Sequence, residues 1–469
     1  MTRAEGFSME TYDLVLKNGS AVTPAGVVET DVAVKNGKIA AFGSGLSGAE
    51  TIDCKGLHIL PGVIDSQVHF REPGNEHKED LATGTLSAVA GGVTTIFEMP
   101  NTNPLTITAD TMQDKMDRAK GRAFCNYAFY MGGAAENAAA LAALENLAGV
   151  CGVKVFMGSS TGSLLASEDD VIFSILQSGR CRVAIHAEDE ARLTERKYIA
   201  EKGADVKDHP HWRDAESAIR ATKRVLALAR KAGRPIHVLH VTTAEEAEIL
   251  AANKDIATME VTPQHLTLHA PDCYARMGSR AQMNPPVRTQ DHQEALWRAV
   301  ADGVVDVIGS DHAPHTLDEK AKNYPQSPSG MPGVQTLVPV MLNHVHEGRL
   351  SLQRFVDLVC HGPQRIFGIV NKGRLAKGYD ADFTIVDLKA ERTITDKWIK
   401  SKCGWTPFDG MRVTGWPMGT IVHGRTVMWD DEIVESPVGQ PVLFYRMCQE
   451  KEGYTGAGQD NRLRVTAVQ

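Results

Sequence analysis

Between residues 61 and 374, short apolar runs alternate with alanine-rich stretches that read as helices, and this alternation restricts the possible folds more than any other feature. The runs are GVIDSQVHF, VTTIFEMP, NYAFYMGG, GVKVFMGSS, RVAIHAED, PIHVLHVTT, TMEVTPQH and DVIGSDHAPH. Short, mostly uncharged and bounded by turn residues, they have the pattern of strands buried on both faces. Strands joined by helices imply a parallel sheet, because a parallel connection must cross back over the sheet. Eight such strands close a TIM (β/α)8 barrel, which counts as one domain of ~250 residues or more.

The two ends of the chain read differently. DLVLKNGSAV, DVAVKNGKIAAFG and HILPG near the start, and ADFTIVDL (381–388) and GTIVHGRTVMWDDEI (419–433) near the end, are short strand patterns. Asn18-Gly19 and Asn36-Gly37 predict hairpin turns. We expect residues 1–60 and 375–435 to form one small β-sandwich domain built from both chain ends, around a barrel of residues 61–374. Residues 436–469 form a C-terminal extension whose polar end, EKEGYTGAGQDNRLRVTAVQ, is expected to be mobile.

The charges are 50 Lys and Arg against 58 Asp and Glu, a formal −8, dispersed without a basic block. That balance argues against nucleic acid and anionic membrane as partners. No apolar stretch reaches the ~18 residues of a membrane span, and MTRAEGFSME lacks an apolar signal core, so a cytoplasmic location is expected. Eight scattered cysteines with no CxxC pair predict reduced, buried thiols.

Polar residues interrupt the apolar runs at one end. His69, Asn101, Lys154, His186, His240, His265 and Asp311 lie at or just past the C-terminal end of a predicted strand, the end that carries the active site of a barrel. Gln67, His69 and Arg71 follow at alternate positions, on one face of the first strand. A single histidine at a strand end is ordinary, whereas agreement among at least five strands points to a site. His69, His186 and His240 are neutral nitrogen donors suited to zinc, and Asp311 can ligate a metal or move a proton. Lys154, in Val-Lys-Val-Phe, would bury an ammonium, which is costly. A lysine held among metals can lose its proton and add carbon dioxide, giving an N6-carboxylysine that bridges two cations. GSSTGS (158–163) lacks the GK[ST] ending of a phosphate loop and reads as a turn. His209 and His211, in VKDHPHWRD, read as a solvated loop, and His344 and His346 as surface or packing residues.

The strings QVHFREPG (67–74), EMPNTNP (98–104), KVFMGSSTG (154–162), IHAED (185–189), LHVTT (239–243), VTPQHL (261–266), MNPPVR (283–288) and GSDHAPH (309–315) resemble bacterial dihydroorotases of the amidohydrolase superfamily. The resemblance spans nearly the whole chain, including GRLAKGYDADFTIVD and TPFDG. It implies a zinc-dependent enzyme that reversibly hydrolyses the ring amide of dihydroorotate to N-carbamoyl-L-aspartate in pyrimidine biosynthesis, with one or two zinc ions per chain. It implies His69 and Asp311 as ligands of a first metal, His186 and His240 of a second, and Lys154 as the carboxylated bridge. Asp311 is then also the proton carrier, and Arg71, Asn101, Asn284, His315 and His265 belong to the substrate pocket. An arginine fork matches a carboxylate, and asparagines can donate and accept around ring amides.

The resemblance departs at Gln67, where the family has the first histidine of HxH. An amide oxygen is a weaker zinc ligand than imidazole, so the first metal is expected to be held less firmly. A homo-oligomer, dimer or tetramer, is also implied. Two alternatives stand: another cyclic amidohydrolase of the hydantoinase or allantoinase type, or a weakly active homologue serving as a structural partner of aspartate transcarbamoylase, which Gln67 alone favours.

Overall fold

Each apolar run overlaps one strand of a parallel sheet, two of which begin one or two residues before the run: Val63–Val68, Val93–Glu98, Asn126–Gly132, Val150–Phe156, Val183–His186, Ile236–Val238, Ala257–Val261 and Val307–Ile308. The computed structural model describes residues 11–160, 162–202 and 205–446. Every residue of these strands is buried, which explains why the sequence shows no period of two there. The strands pair in chain order. Between the last and the first, the seam is bridged by Val68 and His312, with the His69 N–H donating to the His312 carbonyl at 2.7 Å. The chain thus forms the expected (β/α)8 barrel, and its closure sets Gln67 and His69 beside Asp311.

Helices fill the connections and begin where a polar cap accepts their free N–H groups. Asp80 caps Leu81–Ala90 by accepting from the Thr83 N–H, and Asp214 caps the 18-residue helix Ala215–Ala232, which ends at Gly233 with φ 67°. Gly84 lets the first of these helices lie against Phe70: a Cβ there would come 2.5 Å from the ring. The loop carrying His69 and Arg71 is thereby pressed onto a rigid element.

Strands from both chain ends form one mixed nine-stranded sheet. Tyr12–Thr23 pairs with Gly26–Lys35, and His58–Pro61 links it to Phe383–Thr393 and Arg412–Val422. Leu14, Val32, Ile59, Phe383 and Ile421 share its core. Asn36-Gly37 makes the expected hairpin turn, with φ 51° and 71°, between Gly26–Lys35 and Lys38–Gly43. Asn18-Gly19 does not. Tyr12–Thr23 runs unbroken through it, and the register shifts between Leu16 and Gly19 while Asn18 takes φ 58°, a bulge. Turn and bulge both favour residues that tolerate positive φ, so the dipeptide alone does not separate them.

After the last sheet strand the chain returns beneath the barrel. The Tyr127 N–H donates to the Gln440 carbonyl at 3.1 Å, the Val442 N–H to the Tyr127 carbonyl at 3.0 Å, and Val442 and Phe444 pack with Phe97, Tyr130 and Phe367. The segment expected to be mobile, beyond residue 446, lies outside the described residues. Among the described residues no helix is long and apolar enough to cross a membrane, and the seven cysteines are free and buried.

Candidate active site

At the C-terminal ends of the barrel strands is a small cavity of about 20 Å³ lined by Gln67, His69, His186, His240, Asn284 and Asp311, among others. The donors come as facing pairs. His69 Nε2 lies 3.3 Å from Asp311 Oδ1, and His186 Nδ1 lies 3.0 Å from His240 Nε2. Lys154 is fully buried, with Nζ 4.4 Å from the centre of the Phe156 ring and no hydrogen-bond partner. The Gln67 amide donates from Nε2 to Asp311 Oδ1 at 2.9 Å, while its Oε1 is buried without a partner.

Three side chains are delivered here by unusual backbone. Arg71, His240 and Asp311 take φ 64°, 38° and 45°, a left-handed region that non-glycine residues seldom adopt and that concentrates at functional sites. The first strand ends at Val68, so Arg71 is aimed by this left-handed turn and not by continued alternation along a strand.

Two of the three imidazoles, His69 and His186, are oriented from behind. His69 Nδ1 lies 2.8 Å from Asn101 Oδ1, an acceptor, so Nδ1 carries the hydrogen and Nε2 faces Asp311 with its lone pair. His186 Nε2 lies 2.9 Å from Glu188 Oε2, which leaves its Nδ1 lone pair facing His240. Burial holds the pKa of His69 and His186 below the usual imidazole range and that of His240 well below it, so all three are neutral donors. Burial alone would raise the Glu188 pKa, but Arg213 and His186 outweigh it and hold the carboxyl well below its ordinary range. Burial draws Lys154 down to about 7.

Among the described residues no three His, Cys, Asp or Glu side chains gather into one metal-binding group. The pairs themselves nonetheless fit metal ligation. Their 3.0 and 3.3 Å spacings lie near the ~3.3 Å edge of a tetrahedron with bonds of ~2.0–2.1 Å. In His69 and His186 the far nitrogen is held by an amide or carboxylate oxygen, the usual form of such ligands. The partnerless Gln67 Oε1 adds a lone-pair atom to the same wall, and Lys154 Nζ, also buried without a partner, gains one when deprotonated.

The model of the amidohydrolase family matches residues 58–427. The chain belongs to the amidohydrolase family. This amidohydrolase is 36% identical over 425 residues to a dihydroorotase of Halobacterium salinarum, spanning 88% of this chain and 96% of that one. It is 34% identical over 449 residues to an L-hydantoinase of Paenarthrobacter aurescens, spanning 92% and 97%. A solved L-hydantoinase (dihydropyrimidinase) from Arthrobacter aurescens superposes with a TM-score of 0.88 at 32% identity, covering 92% of this chain and all of that one. The amidohydrolase therefore falls in the cyclic amidohydrolase group that includes dihydroorotases and hydantoinases.

Of the residues expected in its substrate pocket, Asn284 lines the cavity, with Nδ2 donating to Ser160 Oγ at 3.3 Å. Arg71 and His315 come together one layer back. The Arg71 guanidinium donates from Nε to the Pro314 carbonyl at 3.1 Å and lies 3.3 Å from His315 Nε2, and Lys78 Nζ stands 3.1 Å from His315 Nδ1. Asn101 reaches the site through His69. His265 spends both ring nitrogens elsewhere, on Thr262 Oγ1 at 2.9 Å and the Pro285 carbonyl at 3.1 Å, and so braces the turn that carries Asn284.

His209 overturns its reading as a solvated loop residue. It is fully buried, with Nε2 3.0 Å from both the Met283 carbonyl and Asn284 Oδ1, because the helix His209–Trp212 turns its ring inward. His211 is exposed, as expected. Glu188 is the functional residue the sequence reading of this amidohydrolase passes over. Its one available signal is a carboxylate two residues beyond a strand-end histidine.

Proposed function

We propose that this amidohydrolase is a dihydroorotase, which hydrolyses the ring amide of (S)-dihydroorotate to N-carbamoyl-L-aspartate and closes the ring in reverse. One observation carries the choice of substrate. Arg71 is buried beside the donor cluster, and among the described residues no carboxylate lies within salt-bridge distance of it; its partners are a carbonyl and a neutral imidazole. Burial lowers its pKa to about 10, so it remains a cation at neutral pH. A buried cation without a counter-ion is costly, and a substrate carboxylate in its fork relieves that cost. Dihydroorotate bears such a carboxylate, whereas the hydantoin ring does not.

His69 and Asp311, with the Gln67 amide oxygen, would hold one metal ion, and His186 and His240 a second, with Lys154 as an N6-carboxylysine between them; zinc suits these donors. When bound, the metal supplies Lewis acidity and lowers the pKa of water toward ~7. Asp311, fixed by the Gln67 amide, accepts the proton of the attacking water and returns it to the leaving ring nitrogen. Asn284, fixed by His209 and Ser160, meets the ring amide.

A second reading, hydantoinase, is favoured by the L-hydantoinase likeness in sequence and structure. Turnover of (S)-dihydroorotate, hydantoin and allantoin by the purified, zinc-supplied chain separates the two. Faster turnover of dihydroorotate is expected; hydantoin hydrolysis without dihydroorotate hydrolysis would replace the first reading with the second.

A further inference from the structure

A second, larger cavity lies at the opposite end of the barrel. It encloses about 650 Å³ beside the N-terminal ends of three neighbouring strands, where Cys151, Arg182 and Pro235 contribute to its wall. Four guanidinium groups line it, from Arg180, Arg182, Arg365 and Arg446, in a chain whose formal charge is −8.

The acidic groups nearby are already engaged. Glu145, the one carboxylate in the wall, pairs with Arg234 at 2.5 Å and accepts the backbone N–H groups of Arg180 and Cys181. Asp357 pairs with Arg365 at 3.0 Å. The other three arginines have no carboxylate within salt-bridge distance among the described residues. Arg182 donates only to backbone carbonyls, of Ile236 at 2.9 Å and Ile366 at 3.4 Å. Arg446 donates to the Val150 carbonyl and lies 4.7 Å over the Phe444 ring, with its Nε buried and without a partner. Arg180 is exposed at the rim, on a backbone anchored by Glu145.

Three like charges around one concavity repel one another, and anchoring two of them through carbonyls leaves that repulsion in place. A multiply charged anion relieves it, and guanidinium forks match phosphate oxygens in pairs. The volume falls within the range that encloses a small organic ligand. Ile366 and Tyr445 add less polar wall beside the arginines. We propose that this cavity binds a phosphate-bearing small molecule of nucleotide size, its phosphates held by Arg180, Arg182 and Arg446.

Isothermal titration of the full chain at constant ionic strength, with pyrophosphate and ATP as probes, tests the proposal. Both are expected to bind saturably, and the Arg180→Ala/Arg446→Ala double variant is expected to bind each about tenfold or more weakly with unchanged enzymatic turnover. Arg180→Ala alone, at an exposed position, should show a smaller loss in the same direction. Absence of binding, or equal binding by the wild type and the double variant, would overturn the site. Binding of pyrophosphate but not ATP would overturn the nucleotide-sized ligand.

Discussion

His186 Nε2 lies 2.9 Å from Glu188 Oε2, and this contact decides which nitrogen His186 turns toward His240. A carboxylate only accepts, so Nε2 holds the hydrogen and Nδ1 keeps its lone pair. Arg213 grips the same carboxylate, with Nε at 3.1 and 3.2 Å from its two oxygens, and Arg288 donates to the Arg213 carbonyl at 2.5 Å. The imidazole is thus oriented by a chain of buried contacts.

Glu188→Gln should therefore weaken metal binding about 10–100-fold, the usual cost of losing an outer partner of a ligand histidine. Competition against a chelator measures it, and thermal melting of the metal-free protein shows whether the fold survives. Wild-type metal affinity in a folded variant would contradict the orienting role.

Lys154→Met separates stability from function. In the metal-free protein the Lys154 amine is buried with no hydrogen-bond partner, and replacing an unpaired buried polar group by an apolar chain of similar length tends to be neutral or stabilising. The variant should melt, metal-free, at or above the wild-type temperature, and when supplied with zinc should nonetheless lose turnover. A marked fall in melting temperature would mean that Lys154 has a structural role the contacts do not contain.

The barrel is legible in sequence because strands buried on both faces leave unbroken apolar runs. The donors are legible because they interrupt those runs at one end. His209 is not. Flanked by Asp208 and Pro210 it looks solvated, and only the turn of the helix His209–Trp212 brings it under Asn284. Glu188 reads as one more charge in a loop until Arg213, 25 residues on, folds against it. In both, the partner is distant in sequence and the residue carries no local pattern of its own. Asn18-Gly19 fails for a different reason, since positive φ serves a bulge as well as a turn.

Gln67→His should raise the zinc content of the protein under limiting zinc, because imidazole is a stronger donor than an amide oxygen. Elemental analysis after dialysis against a fixed free-zinc buffer makes the comparison. If both proteins retain the same zinc, the His69 and Asp311 pair is not limited by its third neighbour.

His209→Phe keeps an aromatic ring at the position and removes the Nε2 contacts to Asn284 Oδ1 and the Met283 carbonyl. Losing one such bond costs about 1 kcal/mol, so KM should rise about threefold to tenfold with little change in kcat. A fall in kcat at unchanged KM would place Asn284 in the transition state and not in ground-state binding.

The central claim is that Arg71 reads a substrate carboxylate. Its most direct test is the ratio of kcat/KM for dihydroorotate to kcat/KM for hydantoin, measured for the zinc-supplied wild type and for Arg71→Met. Loss of a buried charge-assisted contact of about 2–5 kcal/mol predicts that the ratio falls about thirtyfold or more in the variant. An unchanged ratio, with both substrates losing rate equally or neither losing any, would contradict the account.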